Sequence, residues 1–299
     1  MRAERRFAAM GSSAHVVVRG DADLVDRAVA RVGELEARWS RFLPASEISA
    51  LNRAGRRPVV VSSDTVRLVQ HCVHAWRATR GLFDPTVHDA MVANGYDRDL
   101  AEIEPGAATL STRSPGLAGA VVDESSNLVW LPNGVRIDPG GLGKGLAADI
   151  VSAGLIDAGA SGVMVNLGGD IRVRADAPRG EPWSINLEDP FDPTASLGGL
   201  ALHDGAVATS SRLRRRWKQC CEDRHHVVDP RTGRPTRNPT VAVTAVAPSA
   251  WWAEVQATRA LVAPEPFAAA GDVSLVVTDE SGRVRATDDL EEVLRCSAH

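Results

Sequence analysis

The short apolar run at residues 14–19, AHVVVR, reads as a strand, and from Asp23 the pattern changes to a helical one. Leu24, Ala28, Val32, Leu35 and Trp39 recur at every third or fourth position, with Asp23 placed to serve as N-cap. A second helix is predicted after Ser62-Ser63-Asp64. Val66, Leu68, Val69, Cys72, Val73 and Trp76 form its apolar face, and it stops near Gly81. Beyond Asn94-Gly95 the chain turns polar and rich in Pro and Gly through Gly119, which predicts a long surface connection. The stretch GAVVDESSNLVWLPNGVRID predicts hairpins with a turn at Pro132-Asn133-Gly134.

Strand-like runs dominate the second half: GVMVNLGGDIRVRA, PWSINLED, LHDGAVATS, TVAVTAVAPS and DVSLVVTDESGRVRAT. Helices are expected over residues 147–159 and 250–262. Because they interleave irregularly with the strands, the pattern favours an α+β fold with mixed or antiparallel sheets and flanking helices over a doubly wound parallel sheet. We read residues 1–299 as one domain, with a smaller lobe near residues 60–125 as the alternative division.

The 299 residues are 44% hydrophobic, enough for a substantial core. A net charge of -4 and a pI near 6.1 argue against a nucleic-acid partner. The one basic run, Arg212-Leu213-Arg214-Arg215-Arg216-Trp217-Lys218, reads as a solvated loop or helix face. Cys72, Cys220, Cys221 and Cys296 show no metal spacing and no disulfide framework, which fits a reducing compartment. Without a secretory apolar segment near the N-terminus or an 18-residue apolar span, a cytoplasmic protein with no membrane insertion is expected.

Four stretches concentrate chemistry. IDPGGLGKGLAADI, residues 137–150, sets four glycines around Lys144, a pattern that lets backbone approach an anion at a helix start. It is not a Walker A loop, since Asp138 stands where glycine is needed and Gly145 follows the lysine in place of Ser or Thr, which also argues against a nucleotide kinase. A plain strand-to-helix turn with a surface lysine is the competing reading. HHVVDPRTGRP, residues 225–235, groups imidazole, carboxylate and guanidinium in a turn; here Asp229 either works with a histidine or merely closes an Asx turn. NLGGD, residues 166–170, fits a tight turn between strands. In WWAEVQAT, Glu254 and Thr258 lie four apart on one helix face and could offer hard oxygens to Mg²⁺ beside a phosphate, or be surface polar residues.

Taken in order, AAMGSSAHVVV, ELEARWSRFLPASEISALN, TRGLFDPTV, NGYD, IDPGGLGKGLAADI, VMVNLGGDIRV, AVATSS, HVVDPRTGRP and AEVQATRAL resemble the ApbE family, the FAD:protein FMN transferases, over nearly the whole chain. The resemblance implies an α+β enzyme that takes FAD as substrate with Mg²⁺, passes FMN to a Thr or Ser hydroxyl of an acceptor flavoprotein, and releases AMP. It implies FAD contacts at Met10, Phe42, Leu82, Phe83, Asp84, Asp138, Lys144 and Val228. It implies a metal held by a carbonyl of Gly141 with Glu254 and Thr258, Ala257 lying near the ion. We expect His226 to accept the hydroxyl proton, with Asp229 orienting or replacing it.

One departure matters most. Where the family's metal helix has Asp, this chain has Glu254, and the extra methylene must be absorbed by a backbone shift or another rotamer. Two alternatives follow: a non-catalytic FAD-binding protein whose metal site Glu254 weakens, and an FAD pyrophosphatase yielding FMN and AMP.

Overall fold

The computed structural model describes residues 1–98, 100–103, 111–219, 222–264 and 271–291. The chain forms two compact units. One comprises Met1–Glu34, Lys144–Leu213 and the described part of Pro239–His299; the other comprises Leu35–Gly143 and Arg214–Asn238.

Among the described residues, the first unit is built on an eight-stranded sheet whose strands lie in chain order. They are β1 (Arg2–Ala9), β2 (Ser12–Arg19), β3 (Gly162–Leu167), β4 (Asp170–Ala175), β5 (Gly205–Ser211), β6 (Thr240–Ala247), β7 (Ser274–Asp279) and β8 (Val284–Ala286). Each pairs antiparallel with the next. Everything else is inserted between neighbours: α1 (Asp23–Trp39) and α2 (Gly143–Asp157) lie between β2 and β3 in sequence, and α3 (Ala250–Val262) between β6 and β7. The second unit is made of the chain that leaves this sheet after α1 and again after β5.

Strand alternation sends the two faces of the sheet to different partners. Val17, Val173 and Val207 pack on one face against Trp183, Ile185, Leu187 and Leu200 of the hairpin Trp183–Glu188/Ser196–Leu202. The even positions of β4 and β5 face the other way, where Arg174 bonds Ser152 of α2 and Ser210 bonds Thr258 of α3. Helix α3 lies against β5 and β6, whose runs of Ala, Val, Ser and Thr leave room for close approach. Its Ala253, Val255, Ala257 and Leu261 are fully buried.

The described parts of the second unit hold the helices Glu47–Ala54 and Ser63–Ala78 and a small antiparallel sheet of Val59–Val60, Val121–Asp123 and Leu128–Trp130. Two short hairpins, Arg216–Gln219/Glu222–His225 and Val228–Asp229/Arg234–Pro235, come from its second segment.

Several local expectations need correction. The hairpin turn falls at residues 124–127, where Asp123 accepts bonds from Ser125 and Ser126 and Asn127 adopts φ 52°; Pro132-Asn133-Gly134 only bends the chain afterwards. The connection after Asn94 is anchored within its described part, since Leu117 is fully buried and Gly116, at φ 78°, packs beneath the Trp76 ring. Helix α2 starts four residues earlier than expected, at Gly143. The LHDGAVATS run is broken at His203-Asp204, and β5 begins only at Gly205. Three of the seven residues of the basic run, Arg216 to Lys218, are strand, with Arg216 paired to Asp223 and Arg212 to Glu280. At α1 the carboxylate meeting the first helical amide is that of Asp21, which accepts from Asp23. Cys72 is buried and free; Cys220, Cys221 and Cys296 lie outside the described residues.

Candidate functional site

The glycine-lysine loop opens directly into α2, and within the first unit Gly145 is where α2 meets α3. A Cβ on Gly145 would collide with the backbone of Ala250 and Trp251, so only glycine permits this approach. The close crossing lets each helix cap the other. Asp149 of α2 accepts from the amides of Ala250 at 3.1 Å and Trp251 at 2.9 Å, while Ser249, the N-cap residue, makes no side-chain cap bond. In return Glu254 Oε2 accepts from the Gly145 amide at 2.8 Å. Carboxylates at helix starts satisfy orphan amides and face the positive end of the helix dipole. Burial pushes the Asp149 carboxyl above its ordinary value, against the two amides and the Arg172 guanidinium 3.1 Å away.

The same crossing gathers charge. Lys144 Nζ donates to Asp170 at the start of β4 and, at 2.7 Å, to Glu254 Oε1. The side chains of Asp170 and Glu254 are only 3% and 4% exposed. Burial, and next the Asp170 charge, push the Glu254 carboxyl above its ordinary value; Lys144 and the Gly145 amide oppose this. One helical turn from Glu254, Thr258 shares a 2.9 Å hydroxyl bond with Ser210 of β5, and Ala257 beside it is buried. Two carboxylates and two hydroxyls are hard oxygen donors of the kind Mg²⁺ takes together with waters and substrate phosphates, so the residues fit that ion. Among the described residues no group of three or more His, Cys, Asp and Glu side chains forms a metal cluster of its own. Met10 also belongs to this unit. It sits at φ 52° with Gly11 at φ 64° in the two-residue turn joining β1 to β2, a primed hairpin geometry that costs a non-glycine residue strain.

The second unit ties several sequence motifs together. Asn52 bonds both backbone groups of Ile137, at 2.8 and 2.9 Å, and the Asp138 amide donates to the carbonyl of Pro85 at 2.7 Å. Asp138 is thereby held where its carboxylate accepts from the Gly140 amide at 2.8 Å and pairs with Arg41 at 2.9 Å. This pair is buried, with side chains 5% and 10% exposed. The Arg41 guanidinium lies 4.1 Å from the centre of the Phe42 ring and 4.7 Å from that of Tyr96, and donates to the Tyr96 carbonyl. Tyr96 continues to Trp217, whose ring centre is 5.2 Å away, and Val228 packs in the same cluster. Phe42 keeps more than a third of its surface exposed. Asp84 accepts from the amide and hydroxyl of Thr86, and burial raises its pKa despite them. Phe83 is buried, Leu82 and Gly141 half-buried.

His226 is half-buried in the stretch leading into Val228–Asp229. Asp229 closes an Asx turn with the Arg231 amide and is gripped by the Arg231 guanidinium, Nε to Oδ1 at 2.9 Å and Nη2 to Oδ2 at 2.8 Å. Burial works to raise it, but Arg231 holds the carboxyl below its usual range. The glycine of PRTGRP is required by contact: Gly233, at φ 69°, presses against the Thr112 carbonyl and gives its own carbonyl to Asn94.

The sequence marks Asp170 only as the carboxylate that ends a glycine-rich turn, and gives Asp149, Arg41 and Tyr96 no role. Asp149 lies four residues after Gly145, on the face that the glycine brings to α3. Arg41 and Tyr96 lie 55 residues apart, and no spacing rule joins positions so distant.

An α+β protein with a chain-ordered antiparallel sheet and two helices capped by each other's carboxylates defines the class. Comparison with known proteins gives the family. The ApbE family profile matches residues 10–270, and the chain belongs to the ApbE family. Among curated relatives, proteins named FAD:protein FMN transferase from Vibrio cholerae and Haemophilus influenzae are 28% identical over 237 residues and 24% identical over 273. Those alignments cover 78% of this chain and 71% of the first relative, and 86% of this chain and 79% of the second. The ApbE protein of Thermotoga maritima has the same fold, with a TM-score of 0.86 at 24% identity over 99% of this chain and 100% of that one. The flavin transferase ApbE of Vibrio cholerae aligns with a TM-score of 0.78 at 21% identity, covering 98% and 99%. Among the described residues no helix is long and apolar enough to cross a membrane.

Proposed function

We propose that this chain transfers FMN from FAD to a Thr or Ser hydroxyl of an acceptor flavoprotein, releasing AMP, with Mg²⁺ at the α2–α3 crossing. Family membership and the relatives' shared name support the flavin transfer. The observation that supports this reading is the grouping of Lys144 with the buried carboxyl groups of Asp170 and Glu254 at a glycine-rich helix start, with the half-buried Thr258 hydroxyl one helical turn from Glu254.

The acceptor oxygen forms a bond to the FMN-side phosphorus, the bridging P–O bond breaks, and its electrons leave with AMP. Mg²⁺ held by Glu254 and Thr258, with the Gly141 carbonyl and Ala257 nearby, would neutralise charge on the diphosphate. Lys144 contributes a fixed positive charge to the same phosphates. Met10, Phe42, Leu82, Phe83, Asp84, Asp138 and Val228 contact FAD in this reading. His226 takes the hydroxyl proton, because Asp229, paired to Arg231 and held at low pKa, is a poor base.

Product analysis tests the proposal. The protein is incubated with FAD and Mg²⁺, with and without an acceptor domain. Covalent flavin on the acceptor, with AMP, supports transfer. Free FMN with AMP indicates a pyrophosphatase instead, and intact FAD a binding protein. Replacing His226 by Ala should abolish transfer while sparing FAD binding; unchanged transfer removes it from the mechanism.

A further inference from the structure

Both oxygens of Glu254 are already engaged. Oε2 is fixed by the backbone amide of Gly145, leaving Oε1 as the oxygen whose partner is a side chain, the Lys144 ammonium at 2.7 Å. That ammonium also bonds Asp170. One ammonium therefore serves two buried carboxyl groups, and burial makes unfavourable any negative charge there that it leaves uncompensated. A divalent ion and an ammonium on the same buried oxygen would repel strongly. Lysine, on a flexible four-carbon stem, can give up one carboxylate without losing the other.

We propose that the Lys144 ammonium is the resident counter-ion of Glu254, that a divalent cation binds by displacing it from Oε1, and that Asp170 receives it. This rests on the reading of Glu254 as a metal ligand. Asp170 is then a positioning residue, acting through Lys144, and metal binding sets the lysine in the place from which it serves the diphosphate.

The test is calorimetric titration of Mg²⁺ alone into the full chain, without FAD. Lys144→Met keeps the stem and removes the charge; it should tighten Mg²⁺ binding about tenfold, equivalent to about 1.4 kcal/mol. Lys144→Gln should shift affinity in the same direction, should the Met variant fail to fold. Asp170→Asn should weaken binding about tenfold, since the ammonium then loses its second carboxylate and stays on Glu254. On the Lys144→Met background the same change should alter affinity less than about threefold, because no ammonium is left to receive. The inference is overturned if neither lysine variant binds Mg²⁺ more tightly than the natural protein. It is equally overturned if Asp170→Asn weakens binding as much without Lys144 as with it, which would make Asp170 a direct ligand. If the natural protein and every variant bind no Mg²⁺, the assignment of Glu254 as a metal ligand falls as well.

Discussion

Gly145 shows how much one missing methyl group decides. The sequence presents it as the defect that disqualifies a Walker A loop, but the structure gives it a different task, the contact of α2 with the backbone of Ala250 and Trp251. Gly145→Ala should destabilise the protein by about 1–3 kcal/mol through overpacking, measured by urea unfolding. A neutral result would mean that the two helices can separate at no cost. Glu254 likewise has a reason that its difference from aspartate did not disclose. Its extra methylene belongs to a side chain that reaches the Gly145 amide with one oxygen and Lys144 with the other. Neither role was legible beforehand, because both depend on a partner more than a hundred residues away. Asp229 closes the Asx turn that its sequence offers as one of two uses, and the Arg231 guanidinium pairs with the same carboxylate.

At the scale of elements, the reciprocal capping of α2 and α3 is the joint on which Lys144, Glu254 and Thr258 are hung. Asp149→Ala leaves two helix amides without their acceptor and removes the buried carboxylate beside Arg172, and should cost about 3 kcal/mol. Asp149→Asn, which retains an acceptor, should cost less. A pH series adds a second check. Because burial raises the Asp149 carboxyl above 3.8, the folded state holds that proton more tightly than the unfolded chain. Its contribution to stability is complete below pH 3.8 and is lost as pH rises through the raised value. The natural protein should therefore fare best relative to Asp149→Asn at about pH 4, and less well as pH rises. A gap that widens with pH would contradict this.

Helices with a wide apolar stripe were readable in advance: α1 and the helix Ser63–Ala78 follow their three-four periodicity, the latter capped by Ser62 as its sequence suggests. Strand β1 was not, because Arg2, Glu4, Arg5 and Arg6 conceal the alternation and suit an exposed sheet edge. Nor was the turn at residues 124–127, where Asp123 and its serines do what Asn133-Gly134 would have done elsewhere.

For the whole molecule, the antiparallel α+β character was legible from strand spacing and irregular helices, whereas the chain order of the sheet was not. Local patterns mark where strands occur, but long insertions separate β2 from β3 and β5 from β6, and nothing in the strands names their neighbours. The site followed the same rule. The lysine loop and the Glu254–Thr258 helix were each visible alone, and only folding brings Lys144 onto Glu254.

The proposed activity is FMN transfer that depends on Mg²⁺. Its most direct test is to incubate the protein with FAD and an acceptor flavoprotein domain, with Mg²⁺ or with a chelator, and to quantify AMP and acceptor-bound flavin in the same samples. Equimolar AMP and covalent FMN with Mg²⁺, and neither with the chelator, are the predicted result. AMP without covalent flavin, or undiminished transfer in the chelator, would contradict it.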